Sequence, residues 1–236
     1  MKQLNFILQA KGGVGKSLLT YLLAVAEQNS ERSLFVDLDS STGTSTRQLR
    51  FLGDLRTEAV SLLNEKQVLV RDSLISYLES LAETAFDRIY FDLGAPESEQ
   101  LPALIERDIP FKDFVDELGC KANFHIVIGG GGMYKSSVDY LHKLLRALQN
   151  EFKVTVWQSI TTFNNIAQLG EELERNCKAL GLRFRKFADF DPGSNLGSHI
   201  LDGIRKGYSI GEYQTGAKLR LKEELNDHFK DELNNQ

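Results

Sequence analysis

The chain has 236 residues, a length that one α/β domain fills, with 42% hydrophobic and 26% charged residues and a formal net charge of −5. That balance argues against a generally basic nucleic-acid binder, though not against a local basic patch, and no apolar run is long enough to span a membrane. The two cysteines, Cys120 and Cys177, make neither a CxxC nor a disulfide framework, and the short apolar stretch at the start runs into a glycine-rich loop rather than a cleavage site. A cytoplasmic location without a signal peptide is therefore expected. His125, His142, His199 and His228 are too scattered to suggest a metal site.

Strand-like and helix-like patterns alternate along the chain. Residues 3–9 read as a short buried strand, followed by the glycine-rich loop and a helix from Lys16 to about Gln28. Ser33 to Asp37 is a second apolar strand, ending in Asp37-Leu38-Asp39. Leu74, Ile75, Leu78, Leu81, Ala82 and Ala85 place a helical stripe on residues 71–86. Strands follow at 88–92, 124–128, 154–160 and 183–187, with helices at 134–148 and 166–180 between the later ones. This alternation predicts an α/β fold: a mostly parallel, twisted sheet with helices on both faces and ligands bound beyond the carboxyl ends of the strands. No repeat, low-complexity linker or change of composition divides residues 1–236, so one domain is expected. The tail, from about 216 to 234, is a charged helix with Leu221, Leu225, Phe229 and Leu233 in a narrow stripe. It fits a helix docked on its own domain, a dimer contact or a membrane-surface helix. The crowded acids Glu223, Glu224, Asp227, Asp231 and Glu232 oppose the last of these.

The loop reads Ala10-Lys11-Gly12-Gly13-Val14-Gly15-Lys16-Ser17 and meets a P-loop pattern with Ala10 in place of the first glycine. Three glycines let backbone N–H groups approach phosphate oxygens, and the helix that follows points its positive end at them. Residues Lys11 to Leu18 are thus the expected phosphate cradle. Lys16 is expected on the β- and γ-phosphates of ATP, and the Ser17 hydroxyl on Mg²⁺. Asp92, after the apolar run Ile89-Tyr90-Phe91, stands where a Walker B carboxylate holds a magnesium-bound water.

An ordinary P-loop needs one lysine, and Lys11 is a second. The run Lys11 to Ser17 resembles the deviant Walker A motif of the ParA/MinD family, KGGxGK[ST]. The resemblance implies a P-loop ATPase in which two subunits sandwich two ATP molecules and Lys11 reaches the partner's phosphates. It also implies that Asp39, the second acid of a D-x-D pair, orients the attacking water, so that Lys11, Lys16 and Asp39 form the catalytic set. Asp37 then supports either the magnesium shell or the loop. Ser17, Asp37 and Asp92 are the metal-site candidates. The family's usual Pro-Gln after the pair is replaced by Ser40-Ser41, and Ser41 to Thr46 reads as a switch loop that senses the γ-phosphate. Leu93-Gly94-Ala95-Pro96 after Asp92, with Phe6-Ile7-Leu8-Gln9-Ala10-Lys11, is similar to the TraL/StbB branch found on conjugative and mobilisable plasmids.

Other family marks are missing. No Asn-Lys pair reads the adenine; Gln158, Ser159, Asn164, Asn165 and Phe190-Asp191-Pro192 are nearby candidates. Gly129 to Gly132 lacks P-loop spacing and reads as a flexible turn, near a dimer face or partner site. Arg183, Arg185, Lys186, Arg205 and Lys206 form the best basic cluster, either a non-specific DNA patch of the kind the resemblance implies or ordinary solvated charge.

The expected function is a slowly hydrolysing, ATP-dimerised switch in plasmid partition, positioning or conjugative transfer. Its expected partners are a second copy of the chain, non-specific DNA, and a small DNA-binding or transfer-machinery protein. The alternative is an ATP-dependent ligase or kinase using Ser40, Ser41 and Thr42 around an acceptor. An iron–sulfur reductase would need cysteines flanking a dimer face, and neither Cys120, before its strand, nor Cys177, within a helix, is placed for that.

Overall fold

The computed structural model describes residues 1–39, 43–164 and 166–229. Ser40, Ser41, Thr42, Asn165 and the tail beyond Phe229, including Leu233, lie outside the described residues.

Seven strands, β1 (Lys2–Leu8), β2 (Ser33–Asp37), β3 (Thr57–Ala59), β4 (Arg88–Asp92), β5 (Cys120–Ile128), β6 (Lys153–Ser159) and β7 (Arg183–Phe187), form one sheet in the order β3-β2-β4-β1-β5-β6-β7. Every pairing is parallel. The helices are α1 (Lys16–Ala26), α2 (Thr44–Gln48), α3 (Arg71–Ala82), α4 (Ala95–Arg107), α5 (Phe111–Glu117), α6 (Tyr134–Leu148), α7 (Ile160–Phe163), α8 (Ala167–Ala179), α9 (Asn195–Arg205) and α10 (Thr215–His228).

Strand alternation sends successive side chains to opposite faces, and each face has its own core. On one face Leu4, Phe6 and Leu8 pack with Leu78, Leu104, Phe111 and Leu144 from helices α3 to α6. Phe6 stacks between Phe91 and Phe124 across β4, β1 and β5, at ring-centroid distances of 4.9 and 5.3 Å. On the other face Ile7, Val127 and Trp157 pack with Leu22, Ile200, Ile204, Leu221 and Phe229 from α1, α9 and α10. The tail helix therefore docks on its own domain: Phe229 is fully buried and stacks on Trp157 at 5.2 Å.

Several boundaries move for local reasons. The helix expected to reach residue 86 stops at Ala82, where Lys2 donates its ammonium to the carbonyls of Leu81 and Thr84 and caps the helix end. The strand expected from residue 124 begins at Cys120, paired from there with Lys2 of β1. Helix α4 was not legible as a periodic stripe, and it carries Pro102 in its interior. Proline cannot donate to the carbonyl of Ser98, four residues back, and the Tyr140 hydroxyl donates to that oxygen instead, at 2.8 Å.

The turn at Gly129 to Gly132 is only partly a matter of conformational freedom. A Cβ at Gly130 would stand 2.3 Å from the Thr162 carbonyl, and one at Gly129 would stand 2.9 Å from Val14 Cγ1, so these two glycines permit close packing. Gly131 and Gly132 face open space.

Candidate functional site

The carboxyl ends of β2, β4 and β1 lie side by side, and the loop from Gln9 to Gly15 rises from β1, the middle strand of the sheet. Gly13 and Gly15 take φ of 78° and 106°, backbone that glycine reaches without strain. Gly15 fits closely as well: a Cβ there would lie 3.3 Å from Ser159 Oγ and 3.4 Å from Phe187 Cζ, at the ends of β6 and β7. Val14 turns inward and is buried, while Lys11, Gly12 and Gly13 are exposed. Helix α1 starts at Lys16, so its unpaired N–H groups open onto the loop. Ser17 and Leu18 occupy its first turn.

Gln9 anchors the loop. Its buried amide donates to the Val127 carbonyl at 2.9 Å and accepts from the Lys11 N–H at 3.3 Å. Its own carbonyl accepts from Lys16 Nζ at 3.1 Å. The two lysines thus differ in kind. Lys16 is half-buried, its pKa lowered by desolvation and raised back in part by Asp92, Asp39 and Glu97. Lys11 is held by its backbone, with its side chain in solvent.

Asp92 is fully enclosed at the end of β4. It accepts hydrogen bonds from the Ser45 and Ser17 hydroxyls, yet its Oδ1 is buried without a partner among the described residues. Burial pushes its pKa up to about 6, against the opposing pull of Ser45, Lys16 and Ser17. A buried carboxylate oxygen with nothing to bind, beside a serine hydroxyl at the helix start, fits a hydrated divalent cation. No group of three or more His, Cys, Asp or Glu able to hold a metal by themselves occurs among the described residues. Ser17 and Asp92 would accordingly hold Mg²⁺ together with phosphate oxygens and water.

Asp37 serves the loop. Its Oδ1 accepts from the Asp39 N–H at 3.0 Å, and its Oδ2 accepts from the N–H and hydroxyl of Thr46, both at 2.8 Å. Of the two roles expected for Asp37, loop support is the one with contacts in the structure. Ser45 and Thr46, adjacent on α2, therefore tie the end of the expected switch loop to Asp92 and Asp37 respectively. Asp39 is half-buried beside Gly94, where a Cβ would stand 3.1 Å from Asp39 Oδ1 and 2.2 Å from Glu97 Oε2. Glu97, buried in the first turn of α4, is a third acid near Lys16 that the sequence reading passed over. Its signal was present: Gly94-Ala95-Pro96-Glu97 is a helix start with proline and an acid in the first turn.

Of the adenine candidates, Ser159 lies against the loop at Gly15, whereas Gln158 faces the other side of the sheet and packs on Gly170 of α8. Phe190 is buried, with the Arg220 guanidinium 5.8 Å from its ring centroid. In the basic cluster, Lys186 pairs with Glu174 and Arg205 with Asp202, each at 2.8 Å. The turn at Gly207 abuts the Arg47 carbonyl and the Arg50 side chain. Cys120 and Cys177 are both buried, the first at the strand ends opposite the loop.

The structure is similar to MinD cell division protein of Aquifex aeolicus, with a TM-score of 0.56 at 13% identity over 94% of this chain and 93% of that one. A ParA family ATPase from Chlorobium tepidum gives 0.56 at 14% identity, over 95% and 99%. The fold is that of the ParA/MinD ATPases. A nucleotide-binding protein from Archaeoglobus fulgidus, solved in complex with ADP, shares this ParA/MinD fold with a TM-score of 0.52 at 16% identity, over 91% and 89%. No family model and no curated protein matches the chain by sequence. The expected parallel α/β architecture is thus seen in the structure, with β3 as a seventh strand that was not expected. No helix among the described residues is long and apolar enough to cross a membrane.

Proposed function

We propose that this protein is an ATP-binding, slowly hydrolysing switch whose site is completed when two copies meet. The observation that carries the reading is the contrast between the two loop lysines. Lys16 is drawn inward to the Gln9 carbonyl among three acids, while Lys11, at the mouth of the same loop, is exposed. A lysine with no task on its own loop is suited to phosphates carried by a second subunit, where it would stabilise charge building up during phosphoryl transfer.

In this reading the backbone N–H groups of Gly12 to Ser17 cradle the phosphates, with Leu18 next along the helix, and Lys16 neutralises the β- and γ-oxygens. Ser17 and Asp92 hold Mg²⁺, which neutralises phosphate charge; Asp37 keeps the loop in place for it. Asp39 orients a water for in-line attack on the γ-phosphorus: a P–O bond forms to the water oxygen, the bond to the ADP oxygen breaks, and the water's proton leaves with phosphate or solvent. Ser45 and Thr46 make the segment after Asp39 responsive to the site, because both acids they bind are at the metal end. The outward consequence is assembly, with DNA, a small DNA-binding protein or transfer machinery as the partner, in plasmid partition, positioning or conjugative transfer. The Gly94-Ala95-Pro96 sequence favours the TraL/StbB branch within that range. The basic residues at 183–186 and 205–206, with Arg47 and Arg50, are the surface offered to DNA.

Sizing chromatography with ATP or ADP tests the reading. Lys16→Ala should lose nucleotide binding. Lys11→Ala should bind ATP yet stay monomeric, and Asp39→Ala should bind ATP, dimerise and hydrolyse poorly. An unchanged monomer for the wild type with ATP would refute it.

A further inference from the structure

At the opposite end of the sheet from the phosphate loop, four central strands present polar side chains where a buried sheet face is ordinarily apolar. On the α1/α10 face, β4 contributes Arg88 and Tyr90, β1 Gln3 and Asn5, β5 Lys121, Asn123 and His125, and β6 Lys153 and Thr155. The parallel register sets them in rows: Arg88, Gln3 and Lys121 in one, and Tyr90, Asn5, Asn123 and Lys153 in the next. All of them but Thr155 line a cavity of about 380 Å³.

Its floor is built rather than incidental. Asn5, Tyr90 and His125 are each no more than 4% exposed. Trp157 Nε1, which can only donate, gives its hydrogen to His125 Nδ1 at 3.0 Å. The imidazole is thereby fixed with its proton on Nε2, facing Asn5 Oδ1 at 3.4 Å. The same oxygen accepts from Asn123 Nδ2 at 3.0 Å. Glu27, buried behind the lining, accepts from Arg88 at 2.6 Å and from the Tyr90 hydroxyl at 3.3 Å, and no acid is among the described residues that line the cavity. Lys121 and Lys153 stand exposed at the rim, with no ion-pair partner among the described residues. Burying this many polar groups in the middle of a sheet costs stability unless each is partnered, and here the partners also hold the donors in place.

We infer that this cavity is a second ligand site, for a small oxyanion carrying phosphate or carboxylate groups. Lys121 and Lys153 supply the countercharge; Gln3 supplies its amide, and Asn5 and Asn123, each with one N–H spent on the Ile89 carbonyl and on Asn5 Oδ1, supply their second N–H as fixed donors. It is separate from the phosphate loop and does not depend on nucleotide.

The chain has one tryptophan, and it is hydrogen-bonded to the floor of this cavity, so its fluorescence reports occupancy. The Lys16→Ala protein, whose phosphate loop is disabled, is titrated with inorganic phosphate and, separately, with succinate at constant ionic strength. At least one of the two should produce a saturable change in Trp157 emission and a rise in melting temperature. The apparent Kd should rise about tenfold or more in Lys16→Ala carrying Lys121→Ala and Lys153→Ala, exposed positions whose change leaves the fold intact. Saturation by phosphate alone assigns a phosphate ligand, and saturation by succinate a carboxylate. No saturable change with either anion, or the same Kd after both lysines are removed, would overturn the proposal. A response seen in the wild type and absent from Lys16→Ala would return the anion to the phosphate loop and overturn it equally.

Discussion

Asp92 holds a carboxylate where the folded protein, without cation or nucleotide, does not favour a charge. Its pKa is pushed from 3.8 to about 6 by burial. The sign follows from linkage: a carboxyl group whose folded pKa is raised destabilises the fold when ionised. That cost is absent well below 3.8, grows as pH rises, and is complete above about 6. At ~1.36 kcal/mol per unit it amounts to about 3 kcal/mol at pH 8 and roughly half of that at pH 5. Asp92→Asn keeps the shape and an acceptor for the Ser45 hydroxyl. Its amide N–H is incompletely paired, which returns part of the gain, so the net at pH 8 is about 2 kcal/mol. Urea unfolding in EDTA, followed by Trp157 fluorescence, should show the variant more stable than wild type at pH 8, with the margin shrinking at pH 5. With Mg²⁺ and ATP at about 100 times Kd the wild type should gain about 2.7 kcal/mol and the variant almost nothing. A variant no more stable than wild type at pH 8, or one that keeps the full Mg²⁺-ATP gain, would refute the claim that this acid is retained for a cation.

Three further outcomes follow from the geometry. Phe229→Ala removes the ring stacked on Trp157 and should cost about 3–5 kcal/mol in urea unfolding, because the tail helix belongs to its own domain's core. Gly94→Ala drives a methyl group into Glu97 and Asp39; phosphate release should fall about tenfold or more while fluorescent-nucleotide binding stays within a factor of about three, since the acids move and the phosphate cradle does not. Thr46→Val removes the hydroxyl bond to Asp37 but leaves its N–H bond. It should lower stability by about 1 kcal/mol and make the segment after Asp39 cleave faster in limited proteolysis without nucleotide.

Much of the architecture was legible because most of the strands carry a short apolar run closed by a polar or glycine residue, and several ranges, such as Ser33–Asp37, Arg88–Asp92 and the alternating Arg183–Phe187, are seen as read. Helix α4 was missed because Pro102 and the polar run Glu97 to Gln100 hide its buried face, and the bond that compensates for the proline comes from Tyr140, far along the chain. Helix α9 was passed over because Gly197 and Gly203 break its apolar pattern; both are sites of close approach, Gly203 to Tyr213 and Gly197 to Asp191. In the site, the loop was readable from its glycine and lysine spacing and the acids from their places after apolar runs, while the part given to Asp39 rested on the family resemblance. Gln9 and Glu97 were not assigned roles, and Ser45 was read only as part of the switch loop, since their contacts depend on which strand ends the sheet brings together. The polar rows of β1 and β5 were not read, because the later strand was expected to begin at residue 124, past Lys121 and Asn123. Only the register of the two strands shows that they share a face.

The central claim is that Lys11 acts on a nucleotide held by another subunit, and subunit mixing tests it directly. Lys11→Ala and Asp39→Ala proteins, each nearly inactive alone, are combined in equal amounts with ATP and Mg²⁺, and phosphate release is measured. In a symmetric sandwich, a mixed dimer has one site with an intact Asp39 and a Lys11 from its neighbour. Lys11→Ala does not pair with itself, but a mixed dimer keeps one of the two Lys11 contacts, so phosphate release should rise well above that of either parent, toward roughly half of the wild-type rate as mixed pairing becomes complete. If Lys11 served its own nucleotide, no mixed dimer would contain a complete site, and the mixture would be no more active than its parts.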